Sequence, residues 1–374
     1  MNPVYLDHNA TTPVAPEVRD AMLPWLGARW GNPSSGHAHG KDAADAVERA
    51  RGQLADLLHA KPEEIIFTSG GTESNNMVFR SFEGAAVGRV LISAVEHPSV
   101  LGPAEALAQR GWKIDRFPPS FNSVIDLLTL RDTLSSPAAL ISVMLAQNET
   151  GSIQPVAGIC GAARDGAEET VIHTDAAQAV GKIPVDLRAL RVDCLSLAGH
   201  KFGAPQGIGA LFVREGLKIA PLMLGGGQEQ GRRPGTQNVP YIVGLGEAAE
   251  RAGTKLAEQQ LAHRRLCTRL FDGLAKTIPE IERTVSAGPV LPNTLHVSIP
   301  GCDSMALLAD CPQVSASTGS ACHSGARGGV LTALGMPKNR QRGALRLSVG
   351  QGLTGLDIDR AIVALVEAWQ RQAT

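Results

Sequence analysis

No charge of either sign is in excess in this chain: 35 Lys and Arg stand against 36 Asp and Glu, a formal net charge of −1. An electrostatic partner such as nucleic acid or an anionic membrane is therefore not expected, and small basic clusters such as Arg232-Arg233 do not change that. No apolar run approaches a membrane span, and "AALISVMLA" (138–146) reads instead as a buried strand. The first residues, "MNPVYLDHNATTP", lack the basic and apolar regions of a signal peptide. Six cysteines, at 160, 194, 267, 302, 311 and 322, form no C-x-x-C pair and no regular framework. Free thiols in a reducing compartment fit that pattern, so a cytoplasmic location is expected. The sequon-like "NET" (148–150) is then a chance match. Internal repeats and low-complexity linkers are also missing.

What is present is a 374-residue chain, 43% hydrophobic and 19% charged. That size exceeds what one core usually serves, so two domains are expected. Short runs rich in Val, Ile and Leu recur: "EIIFTS" (64–69), "RVLISA" (89–94), "ALISVML" (139–145), "TVIHTD" (170–175), "CLSLAG" (194–199) and "IGALFV" (208–213). Helix-like spacing lies between several of them. Near-continuous apolar strands separated by helices predict a mainly parallel sheet covered on both faces. Residues 240–278 read as a long helix, with an interruption at a glycine possible, and strands return at 293–299, 313–319 and 344–350. These predict a smaller α+β unit that also takes in the N-terminal segment.

Polar residues cluster at the ends of the predicted strands, where open α/β sheets hold their ligands. "FTSGGTESNN" (67–76) runs from strand through Gly70, Gly71 and Thr72 into a helix start, which either cradles a phosphate or is an ordinary turn. His97 follows another strand and is either functional or structural. Asp175 follows a third and either caps a helix or serves chemistry. In "GHKFGAPQGIGAL", Lys201 sits at a strand end where a buried ammonium is costly unless neutralised or covalently used. A phosphate cradle, a carboxylate and a strand-end lysine together specify pyridoxal 5'-phosphate, which needs an anion site, a partner for its ring nitrogen and an amine for its aldehyde.

The segment "STGSACHSGARGG" (317–329) places Cys322 in a run of Ser, Gly and Ala that offers little to a core. It is either an incidental loop cysteine or a reactive thiol on a flexible tether.

Ten motifs in order, including "YLDHNATTP", "GNPSS", "FTSGGTESNN", "VEHPSV", "HTDAAQAVGK", "GHKFGAPQGIGAL", "GGGQEQGRRPGTQN", "STGSACHSG" and "LRLSVG", make the chain resemble the cysteine desulfurases along nearly its whole length. Within them it is similar to the mobile-loop branch. The resemblance implies an α/β, pyridoxal-phosphate-dependent transferase of fold type I. A mainly parallel seven-stranded-type sheet would lie in a large domain (14–250), with a smaller α+β domain (1–13 and 251–374) carrying the cysteine loop (about 317–330). It implies that Lys201 forms the Schiff base, that His97 stacks on the ring and transfers protons, and that Asp175 pairs with the ring nitrogen. Gln178 would bond the ring phenolic oxygen, and Gly71, Thr72 and His200 would hold the phosphate. Thr236 would reach that phosphate from the partner of a homodimer. Asn148, also beside the cofactor, and Arg346 would hold the substrate carboxylate, with Asn32 nearby. Cys322 would take sulfur from L-cysteine as a persulfide, leaving L-alanine, and pass it to an acceptor such as an iron–sulfur scaffold or a sulfur carrier. One departure is visible: the position three before Lys201, often a phosphate-binding serine in the family, is Ala198.

Three other readings stay open on sequence. Selenocysteine lyase shares the fold and cofactor, "ACHS" resembles its segment as well, and Leu331 follows Cys322 closely. An aminotransferase on the same scaffold would need no such cysteine. A sulfur-carrier scaffold active only with a partner is the third.

Overall fold

The computed structural model describes residues 2–117, 119–120, 123–134, 136–166, 169–318 and 329–373. The chain opens on a two-residue strand, β1 (Val4–Tyr5), and then builds the main sheet. Its strands are β2 (Ile65–Thr68), β3 (Arg89–Ser93), β4 (Lys113–Phe117), β5 (Leu140–Ser142), β6 (Val171–Asp175), β7 (Cys194–Ala198) and β8 (Gly209–Val213). They lie in the order β2-β8-β7-β6-β5-β3-β4. The five from β7 to β4 are parallel, whereas β8 runs antiparallel to both of its neighbours. Because β8 opposes β2 and β7 alike, β2 points the same way as β7. The carboxyl ends of β2, β3, β5, β6 and β7 thus share one edge.

Alternation along a strand sends successive side chains to opposite faces, and both faces here are covered. In β3, Leu91 joins one apolar cluster with Leu54, Ile141 and Leu245, while Val90 and Ile92 join another with Val78, Phe79 and Val100. This explains why most of these strands are unbroken apolar runs. The edge strand β4 is the exception: Lys113, Asp115 and Arg116 leave it without an apolar signature, and sequence reading passes over it.

The second sheet is antiparallel. It comprises β9 (Glu282–Arg283), β10 (Thr294–Ser298), β12 (Ser317–Thr318) and β13 (Ala344–Ser348) in the order β12-β13-β10-β9, while β11 (Val314–Ser315) pairs with β1. Leu345 and Leu347 enter a separate core with Leu270, Leu274, Val297 and Ile358. Arg346 lies between them on β13 and faces the other way.

One helix, Val239–Ala275, serves both cores over 37 residues. Ile242, Leu245 and Ala249 pack under the large sheet, and Cys267, Leu270 and Leu274 under the small one. The interruption considered from sequence does not occur; the helix runs through Gly244, Gly246, Gly253 and Gly273. A helical glycine costs about 1 kcal/mol, which packing at both ends outweighs. Gly246 is also needed: a Cβ there would sit 2.6 Å from Ala50 Cα of the crossing helix Ala38–Leu58. No helix among the described residues is long and apolar enough to cross a membrane.

Candidate active site

A cavity of about 460 Å³ opens at the carboxyl edge of the large sheet, with Arg346 and Ser317 of the small sheet as its far wall. Asp175 ends β6 and is 5% exposed. Its Oδ1 accepts from Ala177 N at 2.9 Å and its Oδ2 from Asn75 Nδ2 at 2.8 Å. A tight turn follows it rather than a helix, so the capping alternative does not hold. No ion pair to Asp175 forms among the described residues. A carboxylate so deeply buried without a cation is costly, and that cost marks a missing positive partner.

The same Asn75 donates to Ser99 Oγ at 2.8 Å, and Ser99 lies 2.7 Å from Nδ1 of His97. His97 caps the helix Pro98–Ala108, its Nδ1 accepting from Ser99 N at 3.1 Å. An accepting Nδ1 leaves the proton of the neutral ring on Nε2. Asp175 and His97 are thus tied through two residues, Asn75 and Ser99, that sequence reading quoted inside motifs without assigning a role.

Lys201 follows β7 on a short 3₁₀ turn, Gly199–Lys201. Its Nζ donates to the carbonyls of Asn9 and Ala10, both at 2.8 Å, from the N-terminal segment. Gln178 shares Asn9: its Nε2 donates to Asn9 O at 2.9 Å, and its Oε1 accepts from Lys182 Nζ at 2.5 Å. The second N–H of that amide remains for a ligand. His200 turns Nδ1 to Thr11 Oγ1 at 3.1 Å, and burial, then the charges of Lys201 and Lys182, lower its pKa to about 4.

At the far wall, Arg346 is 3% exposed. It reaches Asp7 Oδ1 at 2.6 Å, Ser317 Oγ at 3.1 Å and the backbone carbonyl of Asn148 at 3.1 Å. Its buried Nε has no hydrogen-bond partner among the described residues. The Asn148 side chain stands beside it on the cavity lining.

Gly71 and Thr72 begin the helix Gly71–Arg80, capped by Gly70 with no side-chain hydrogen bond. Gly70 lies at φ +150°, a conformation reserved for glycine. With no side chain folded over them, the first N–H groups of the helix stay open to an anion. Ala198 also lines this end and contributes no hydroxyl.

Two expected residues are elsewhere. Thr236 is exposed and does not line the cavity. Asn32 is exposed as well, its Oδ1 accepting from Ser34 N at 2.9 Å. Cys322 lies outside the described residues. The other five cysteines are free and buried, as expected. Burial pushes Cys160 and Cys267 up to about 12 and Cys302 to about 11, which keeps them as inert thiols.

Among the described residues none pairs a cation with Asp175 or an anion with the helix terminus, and Lys201 presents an amine at the same cavity. Pyridoxal phosphate meets all three needs with its ring nitrogen, aldehyde and phosphate, and the class is a pyridoxal-phosphate-dependent enzyme of fold type I. The chain belongs to the class-V aminotransferase family, which matches residues 4–360, within its cysteine desulfurase branch. "Cysteine desulfurase IscS" of Methanosarcina thermophila is 41% identical, over 98% of this chain and 92% of its own. A solved structure described as a NifS-like protein superposes with a TM-score of 0.92 at 34% identity, covering 99% of this chain and 100% of that one. "SspA in complex with cysteine" superposes at 0.83 with 32% identity, over 92% and 98% of the two chains.

Proposed function

We propose that the protein converts L-cysteine to L-alanine and places the removed sulfur on Cys322 as a persulfide, for delivery to an acceptor protein. The observation that carries the reading is the convergence of Lys201, Asp175, His97 and Arg346 on one cavity. Bound pyridoxal phosphate supplies an electron sink at the substrate Cα. Asp175 keeps the ring nitrogen protonated. Arg346, with an unused Nε and a guanidinium held by Asp7 and Ser317, receives the substrate carboxylate beside Asn148. Lys201 moves the Cα proton, and His97 exchanges a proton at Nε2.

The transfer balances without an outside oxidant. The C–S bond of cysteine breaks and an S–S bond to Cys322 forms. The two sulfurs that join give up one electron each, and the substrate Cβ takes that pair and a proton to leave as alanine. An unperturbed thiol is only a few per cent ionised near neutral pH, so a nearby proton acceptor assists it.

We also propose a homodimer in which Thr236 completes the partner's phosphate site; its exposure and its distance from the chain's own cavity support that reading. The two cores support a division at about residue 250 into a large and a small domain. An iron–sulfur scaffold or sulfur carrier is the proposed acceptor, in the cytoplasm. The relative from Methanosarcina thermophila carries a cysteine desulfurase name, and SspA was solved in complex with cysteine, which supports cysteine as substrate.

The test is a Cys322→Ser variant of the holoenzyme, assayed with L-cysteine and a thiol reductant. It is expected to keep the cofactor's colour while alanine and sulfide release collapse. Full turnover in that variant would remove Cys322 from the reaction.

A further inference from the structure

A second cavity of about 300 Å³ shares Lys201 with the cofactor cavity, and Lys182, His8 and His263 help to line it. Lys182 is 6% exposed, and no ion pair to it forms among the described residues. Burial first, then the charges of Lys201 and Arg346, lower its pKa well below the ordinary lysine range. A lysine so placed is expensive, and the mechanism above gives it no part.

Its bonds show what it does. With or without its third proton, Nζ has N–H donors for two bonds. Lys182 Nζ donates to Asn9 Oδ1 at 2.8 Å and to Gln178 Oε1 at 2.5 Å. Both amides must therefore present oxygen to it. Asn9 is left to donate through Nδ2 to Thr294 Oγ1 at 2.9 Å and Asn148 O at 3.3 Å. Gln178 is left with Nε2 on the side of Asn9 O and the cofactor cavity. Turning the Gln178 amide over would set its N–H groups against the ammonium and leave a carbonyl facing the cofactor, stranding buried donors.

We propose that Lys182 is a positioning residue, which locks the Gln178 amide so that an N–H rather than a carbonyl faces the cofactor's ring oxygen. The proposal rests on the pyridoxal phosphate reading of this cavity. A donor at that oxygen favours its anionic form and so lowers the pH at which the cofactor–lysine linkage loses its proton. The other charged and titratable groups around Lys182 are His8, His200, His263, Lys201 and Arg346.

The experiment titrates the visible absorption band of the holoenzyme in wild type, Lys182→Met, Gln178→Ala and the double variant, and measures pyridoxal phosphate affinity of each apoprotein. Lys182→Met is expected to raise the midpoint by about one pH unit and weaken cofactor binding about tenfold. In the Gln178→Ala background the same substitution is expected to add little, because the two act as one unit. Lys182→Gln, a milder change that keeps one donor, is expected to fall between and serves if Lys182→Met does not fold. An unchanged midpoint would overturn the proposal. So would equal shifts in both backgrounds, which would mean that the Lys182 charge acts through space. Wild-type protein that takes up no pyridoxal phosphate would sink the functional reading itself, and this proposal with it.

Discussion

Beneath the helix Ala38–Leu58, Arg51 forks onto Glu229 through bonds of 2.8 and 2.9 Å, while also donating to Ile65 O and lying over the Phe67 ring. Glu229 accepts in addition from Phe67 N at 3.0 Å and from Gln237. Every charge there is answered by another part of the chain. Around the cavity at the carboxyl edge of the large sheet, among the described residues, no cation pairs with Asp175, no carboxylate pairs with Lys182 and Nε of Arg346 has no hydrogen-bond partner. Both groups are deeply buried, so burial alone does not separate structure from chemistry. The separation lies in whether the partners are supplied by the chain or left for a ligand.

Acid makes the largest attack on that contrast. His8, His200 and His263, on the cationic side of the site, have pKa values lowered to about 4 by burial first and then by Lys182, joined by Lys201 at His200 and by His263 at His8. Unfolding returns each to about 6.5. The unfolded chain then binds more protons between those values, so stability is intact above about pH 6.5 and is lost as pH falls toward 4, by up to about 1.4 kcal/mol per histidine per pH unit. The melting temperature of the apoprotein is expected to fall steeply across that window, and less steeply with cofactor phosphate bound. A flat profile would mean that these rings are not held neutral.

Arg51→Met comes next. It strands Glu229 and is expected to cost about 3–5 kcal/mol in urea unfolding, with Arg51→Met/Glu229→Leu recovering much of it. A loss below about 1 kcal/mol would erase the distinction between the clusters. Arg346→Lys, at the site, is expected to leave the cofactor's colour intact while kcat/KM for L-cysteine falls about tenfold, because a point charge cannot fork a carboxylate. Unchanged kinetics would move the substrate carboxylate elsewhere. The smallest effect is expected of Ala198→Ser, which restores a hydroxyl at the phosphate end and should tighten cofactor binding by about 1 kcal/mol. Weaker binding would mean that this end of the cavity has no room for it.

Legibility followed the same division. The strands β2, β3 and β5 to β8 could be read because burial on both faces makes them continuous apolar runs. β4 could not, since Lys113, Asp115 and Arg116 on its solvent-facing edge break the apolar run, and the two-residue strands β1 and β9 exist only by pairing with distant partners. Lys201, Asp175 and His97 were visible because a charge or imidazole at a strand end is chemically conspicuous, whereas Arg346, in the middle of β13, was named only through the resemblance. Asn9, Asn75, Ser99 and Lys182 were not, because their roles are hydrogen bonds to residues far away in sequence; Asn9 Nδ2 to Thr294 is one. The N-terminal motif carries part of the resemblance, yet nothing in its composition says that Asn9 bonds both Lys182 and Lys201.

The presence of those two lysines sets the decisive measurement. Purified holoenzyme is reduced with borohydride to fix the cofactor to its amine, digested, and its peptides are mapped by mass. The label is predicted on Lys201 alone, with Lys182 unmodified. A label on Lys182, or protein that takes up no pyridoxal phosphate to be fixed, would contradict the assignment on which the whole account stands.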